Sequence, residues 1–264
     1  MTKGFTYLKH EILVNADDFG YNTEVNRAIH LSFLRGMIHQ TSLLIHMDGF
    51  EDAIHTAKLD PHFLQNIGIH LNLTEGSPLT DSLKSCPRFC DGSGKFIFKR
   101  NRSLYSLTKP ERTAIYQELK AQMDAMRVAG IRPHHIDSHH HIHTEWPILK
   151  IVIRLAKENG IRKIRWARNM GVQNSWPKKV YRFLLNRYLK HRMGLPDIGL
   201  FGNLDDFAFS RKKLVPGEPR SIEIMVHPAL NKSQAILDNP GGDLMEKLKT
   251  LFPDVEIPSN GNVE

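Results

Sequence analysis

An α/β protein built on a parallel sheet with helical crossovers is what the sequence predicts, and three observations predict it. Short apolar runs bounded by polar residues alternate with amphipathic stretches in the repeated order strand, helix, strand. No nucleotide-type glycine fingerprint follows the first run, which sets the chain apart from dinucleotide-binding sheets. The polar residues able to do chemistry fall at strand ends, and in a parallel α/β barrel all C-terminal strand ends share one face. At 264 residues the chain can bury a full core, and no linker divides it. A single catalytic domain over 1–264 is expected, with a long loop insertion at 74–107 and an irregular segment at 231–264.

Residues 12–16 (Ile-Leu-Val-Asn-Ala) read as a strand buried on both faces. Asn22 or Thr23 can cap the next helix, where Val25, Ala28, Ile29 and Phe33 recur at helical spacing before Gly36. A second strand is expected at 42–46, a second helix at 50–58, and a third strand at 66–73 carrying His70 near its end. The stretch 74–107 is rich in Gly, Pro, Ser and Lys without sustained periodicity, as expected of a functional loop or lid. Thr108 and Glu111 form a capping box for a helix with Ile115, Leu119, Met123 and Met126 along one stripe, ending at Gly130. After a histidine-rich segment come a helix at 147–158, a strand at 163–167, a basic helix at 176–193, a strand at 221–226 and a short helix at 244–252. A turn at 239–242 and a frayed tail at 258–264 complete the reading.

Composition narrows the function classes. With 41% hydrophobic and 24% charged residues the chain is ordinary for a globular protein, and no apolar run approaches the twenty or so residues of a membrane span. The first residues lead within a dozen positions into a strand, which leaves no room for a secretory leader, so a cytoplasmic location is expected. Two cysteines, Cys86 and Cys90, are too few for a disulfide framework or a four-thiolate zinc site. The net charge of +8 favours anionic partners, and much of the excess lies at 178–192, where Tyr181 and Tyr188 interleave with basic residues. A basic nucleic-acid-binding protein is therefore an alternative reading, set against a merely solvated helix face.

Residues 134–143, His-His-Ile-Asp-Ser-His-His-His-Ile-His, hold six of the 15 histidines and one carboxylate. Neutral imidazole is the commonest protein ligand for transition metals, and an internal run flanked by regular structure is no purification tag. A metal-dependent active site is expected. Asp17 and Asp18 follow the first strand, His70 closes the third, Asp137 and His139 close the one inside the cluster, Arg165 lies in the next, and His227 ends the last. Adjacent acids at a strand end diverge, so one can bind a metal while its neighbour serves as base; capping of the following helix explains one of them and not two. Together with His70 and a histidine of the cluster they make a mixed carboxylate and imidazole site. Alternation places His135, Asp137, His139 and His141 on one side of an extended segment, which leaves His139 and His141 equal as ligands.

The motifs Asn-Ala-Asp-Asp-Phe-Gly at 15–20, Gly-Ile-His-Leu-Asn-Leu-Thr at 68–74 with Gly-Ser-Pro-Leu at 76–79, His-Ile-Asp-Ser-His-His-His-Ile-His at 135–143 and Glu-Ile-Met-Val-His-Pro at 223–228 resemble the YdjC-like carbohydrate deacetylase family, which includes chitooligosaccharide deacetylases. The resemblance runs in order from about residue 13 to 228, and the chain after Ala229 is shorter and richer in turns than the family pattern. It implies a distorted or incomplete β/α barrel of the polysaccharide-deacetylase type and one divalent metal ion, magnesium or zinc. Carried over motif by motif, Asp18, His70 and His139 are the implied ligands and Asp17 the implied catalytic base. His227 is the candidate acid for the leaving amine, and Arg165 either orients Asp17 or contacts substrate. Asp137, His141 and His143 are expected to meet the substrate, and Trp146, Trp166 and Trp176 are candidates for stacking on sugar rings. The expected reaction removes the acetyl group from an N-acetylated amino sugar or short oligosaccharide, in a chain that needs no membrane and for which a homodimer is one allowed assembly. The enzyme alternative is a metal-dependent amidase or phosphoesterase on another substrate, since one ligand set hydrolyses many esters and amides.

Overall fold

The computed structural model describes residues 4–7, 10–98, 106–171, 175–214, 221–238 and 241–254. The tail expected at 258–264 lies outside them, as do the first two positions of the turn expected at 239–242. In chain order the elements are β1 (Phe5–Tyr7), β2 (His10–Phe19), α1 (Thr23–Leu34), β3 (Gln40–Leu43), α2 (Phe50–Leu59), α3 (Pro61–Leu64), β4 (Ile67–Leu71), α4 (Asp81–Lys84) and α5 (Lys109–Val128). Then follow β5 (His135–Ser138), a short 3-10 helix (His139–Thr144), α6 (Trp146–Glu158), β6 (Lys163–Ile164), α7 (Trp176–Met193), β7 (Leu200–Asn203), α8 (Leu204–Ser210), β8 (Ser221–Val226), β9 (Pro228–Leu230), β10 (Ile236–Asp238) and α9 (Leu244–Leu251).

Seven strands pair in parallel in the order β6-β5-β4-β3-β2-β8-β7, with β1 antiparallel to the start of β2. The sheet curls into an open half-barrel. Its two edge strands do not pair with each other; the segment after β6 reaches across, with the backbone N–H groups of Asn169 and Met170 donating to Phe201 O of β7 at 3.1 and 3.2 Å. This is the distorted, incomplete barrel that the motifs implied. Crossover helices supply the outer layer, each by its apolar stripe: Ala28, Ile29 and Phe33 of α1, Ile115, Leu119, Met123 and Met126 of α5, and Ile148, Leu149, Val152 and Leu155 of α6 are buried.

Local signals act as their chemistry demands. Thr108 and Glu111 make the capping box of α5, and Asn22 caps α1 by accepting from the Val25 N–H at 2.8 Å. Since Asn22 takes the cap, neither Asp17 nor Asp18 spends its carboxylate there. Gly20 sits at φ +93 with its Cα so close to Leu44 O that a Cβ would lie 2.5 Å from it, which glycine alone tolerates. The long connection after β4 is stapled to α5 by the buried Glu118. Its carboxylate accepts from the backbone N–H groups of Leu79 and Thr80 at 3.1 and 2.9 Å and from the Thr80 hydroxyl at 2.8 Å. The segment expected to be a functional loop or lid is thus fastened to α5 at residues 79–80.

Candidate active site

The acidic pair lies in an irregularity of the central strand. Pairing of β2 with β3 shifts register between Ala16 and Phe19, and Asp18 takes a left-handed φ of 71, which a short polar side chain such as aspartate tolerates. Asp17 therefore points into the half-barrel while Asp18 turns toward the rim. Asp17 is only 2% exposed and both of its oxygens accept from Arg165, Oδ2 from Nη1 at 2.6 Å and Oδ1 from Nη2 at 2.7 Å. Asn15 Nδ2 adds a donor to Oδ1 at 2.7 Å. Burial works against the Asp17 charge, but the guanidinium overrides it and holds the carboxyl well below the usual carboxylate range.

Arg165 is itself 1% exposed and serves three carboxylates, since it also meets Glu223 through Nε at 2.6 Å and Asp137 through Nη2 at 2.7 Å. A guanidinium is the group for this task, being planar, five-donor and always charged. Of the two roles expected for Arg165, substrate contact and orientation of Asp17, its burial and its two bonds to Asp17 favour the second.

Asp137 lies beneath the floor, fully buried, with Oδ1 at 2.7 Å from His70 Nδ1 and Oδ2 accepting from Ser42 Oγ at 2.8 Å. His70 Nε2 faces Asp18 Oδ1 at 3.2 Å. Burial opposes the charge on His70, but Asp137 wins and pushes its pKa up to about 10. Gly68 makes this layer possible: a Cβ there would fall 2.3 Å from the His135 ring packed over it from β5. Asp137, expected to meet substrate, stands behind His70 with no exposed surface.

The chain stops being extended at Ser138. His139 opens the 3-10 turn, and His140 and His141 take φ of 51 and 55, so the alternation expected across the whole cluster ends there. His139 turns into the cleft, its Nδ1 at 2.9 Å from Asp18 Oδ1 and its Nε2 at 3.0 Å from Glu75 Oε2. His140 faces outward, against Phe98 and the Thr74 hydroxyl. His141 packs edge-on to Phe201, and burial followed by the nearby Arg165 charge lowers its pKa to about 3. His143, also expected to meet substrate, is fully buried and bonds Ser138.

Asp17, Asp18, Tyr21, Val25, Glu75, His139, His140, His227, Pro228 and Ala229 line a cleft of about 470 Å³. Asp17, Asp18, His139 and His227, four residues singled out in the sequence, meet in it, with His70 and Arg165 directly behind. None of the three tryptophans lines it: Trp166 is core, Trp146 packs at a tilt against Tyr188, and Trp176 is 75% exposed on α7. Glu75 and Tyr21 were missed. Glu75 lies between two stretches of the second motif, and its Oε1 accepts from the Tyr21 hydroxyl at 2.8 Å. A carboxylate inside a motif was the available signal.

Asp18 Oδ1, one nitrogen of His70 and one of His139 lie within 4.8 Å of one another. Each ring has a carboxylate at both nitrogens, Asp18 being common to the two. With one proton displaced by a cation, each imidazole has one N–H to give its outer carboxylate and a lone pair facing Asp18. One carboxylate and two imidazole lone pairs converging on one point suit a divalent cation.

The family model described as YdjC-like protein matches residues 11–251. This chain belongs to the YdjC-like family. Among curated relatives, a carbohydrate deacetylase of Brevibacillus brevis is 40% identical over 56% of this chain and 56% of its own length. The chain thus spans about half of that relative. Carbohydrate deacetylases of Clostridium beijerinckii and Vibrio campbellii are matched over more of both chains: 30% identical over 85% of this chain and 84% of the relative in the first case, 28% over 90% and 86% in the second. Among solved structures, an Enterococcus faecalis protein described as a cellobiose-phosphate cleavage protein superposes with a TM-score of 0.63 at 26% identity, covering 91% of this chain and 89% of its own. The half-barrel is thus a YdjC-like fold, and no helix among its described residues is long and apolar enough to cross a membrane.

Proposed function

We propose that this chain is a metal-dependent hydrolase that removes the acetyl group from an N-acetylated amino sugar or short chitooligosaccharide. The observation that carries the reading is the arrangement of Asp18, His70 and His139 around one point, with Asp17 beside it and His227 on the same cleft. The names of the curated relatives support the same reaction class. Asp18, His70 and His139 would hold the divalent ion, which when bound would supply Lewis acidity toward the amide carbonyl and water, and Asp17 is placed to take the proton of the attacking water. Arg165 fixes both oxygens of Asp17, so the acceptor is oriented before substrate arrives. His227, with its backbone N–H bonded to Asp238 Oδ1 at 3.0 Å, protonates the departing amine.

Charge on the walls favours this reading over a phosphoesterase. The described residues lining the cleft include Asp17, Asp18 and Glu75 and no lysine or arginine. A phosphate dianion would face those carboxylates without a side-chain counter-ion, whereas a neutral acetamido sugar would not. Incubation with N-acetylglucosamine, diacetylchitobiose, longer chitooligosaccharides and sugar phosphates tests this. Acetate from the amides and no phosphate from the esters is expected; phosphate without acetate overturns it. In the same assay His227→Ala should slow amide hydrolysis by roughly 10²–10⁴-fold yet leave an aryl acetate, whose leaving group needs no proton, little affected. Equal loss on both substrates would remove His227 from the acid role.

A further inference from the structure

We infer that Glu75 is a positioning residue of the metal centre: it holds the Nε2–H of His139 so that Nδ1 presents its lone pair beside Asp18. This rests on the metal-site reading above. The two ligand histidines are arranged alike with their nitrogens exchanged. His70 is bonded at Nδ1 by Asp137 at 2.7 Å and faces Asp18 through Nε2 at 3.2 Å. His139 is bonded at Nε2 by Glu75 at 3.0 Å and faces Asp18 through Nδ1 at 2.9 Å. A carboxylate on the far nitrogen fixes tautomer and ring angle and makes the near nitrogen a better donor, and loss of such a partner typically costs 10–100-fold in metal affinity.

Glu75 is built into that place. The Tyr21 hydroxyl donates to its Oε1 at 2.8 Å, leaving Oε2 for His139. The buried Asn72 shapes the turn beneath it, with Oδ1 accepting from the backbone N–H groups of Thr74 and Glu75 at 2.9 and 3.2 Å and Nδ2 donating to Glu75 O at 2.7 Å. Gln122 of α5 pins Asn72 in turn, Nε2 to Asn72 O at 2.8 Å and Oε1 from Asn72 N–H at 3.0 Å. One alternative uses the same atoms: Glu75, His139 and His140 also lie close enough to hold an ion themselves. His139 has a closer-set pair of ligands in Asp18 and His70 on its Nδ1 side, with Asp18 Oδ1 at 2.9 Å from His139 Nδ1 and 3.2 Å from His70 Nε2, which favours the positioning role.

The test is calorimetric titration of zinc chloride into metal-stripped natural chain, Glu75→Gln, Glu75→Ala and Tyr21→Phe, with thermal unfolding of each stripped protein as a folding control. One ion is expected in every case. The dissociation constant should rise by roughly 10–100-fold in E75A, less in E75Q, which keeps an acceptor oxygen, and least in Y21F, with stripped-state melting unchanged. Affinity in E75A equal to that of the natural chain overturns the inference. So does a second ion in the natural chain that E75A loses, which would make Glu75 a ligand. A natural chain that binds no zinc would instead remove the metal-site reading on which the inference stands.

Discussion

Asp18 sits at φ 71, and that turn of the backbone sends two adjacent carboxylates to different places, Asp17 onto Arg165 and Asp18 toward His70 and His139. The acidic pair at a strand end was legible in the sequence; the dihedral that parts the two side chains was not. On the proposed reading, in which Asp17 is base and not ligand, replacement of Asp17 by Asn is expected to leave one ion bound and to abolish turnover, as metal analysis beside an acetate assay would show. Near-normal turnover would contradict the base assignment. Arg165 was legible only as a candidate. Its pairing with Asp17, Asp137 and Glu223 joins three strands far apart in the chain, and no local pattern encodes that.

At the scale of elements, long periodic segments were readable and short ones were not. The boundaries of α7 and β8 agree with those expected, and α5 begins at its capping box. The strand expected at 42–46 lies instead at Gln40–Leu43, because the apolar residues Leu44 and Ile45 continue the pattern past the last paired position. The strands β1, β7, β9 and β10 have three or four residues each and carry no measurable period. The histidine cluster misled alternation because positive φ at His140 and His141 breaks it. Packing of β4 on β5 gives a sharp test: Gly68→Ala should drive a methyl into the His135 ring and destabilise the fold by roughly 1–3 kcal/mol, read as a lowered thermal midpoint. An unchanged midpoint would show that the two strands can part without cost.

Over the whole molecule the buried titratable groups make the metal-free protein's stability fall on both sides of neutrality. Burial lowers the pKa of His39 to about 4, and burial with the charge of Lys163 does the same for His134, each from an ordinary 6.5. Folded below ordinary, these rings contribute full stability above pH 6.5 and lose it as the pH falls toward 4, since the unfolded chain takes up protons first. His70 has the opposite sign: with a folded pKa of about 10, its contribution is complete below 6.5 and is lost as the pH rises through 10. Thermal midpoints of stripped protein between pH 4 and 10.5 should trace that dome, and a midpoint rising steadily to the alkaline end would contradict it. The most direct test of the central claim, one divalent ion serving a deacetylase site, is acetate release from chitooligosaccharides by metal-stripped protein given back magnesium, zinc, manganese or cobalt one at a time. No release without metal and restoration by at least one ion is the expected result. Full release by the stripped protein, or none with any ion, would contradict the account.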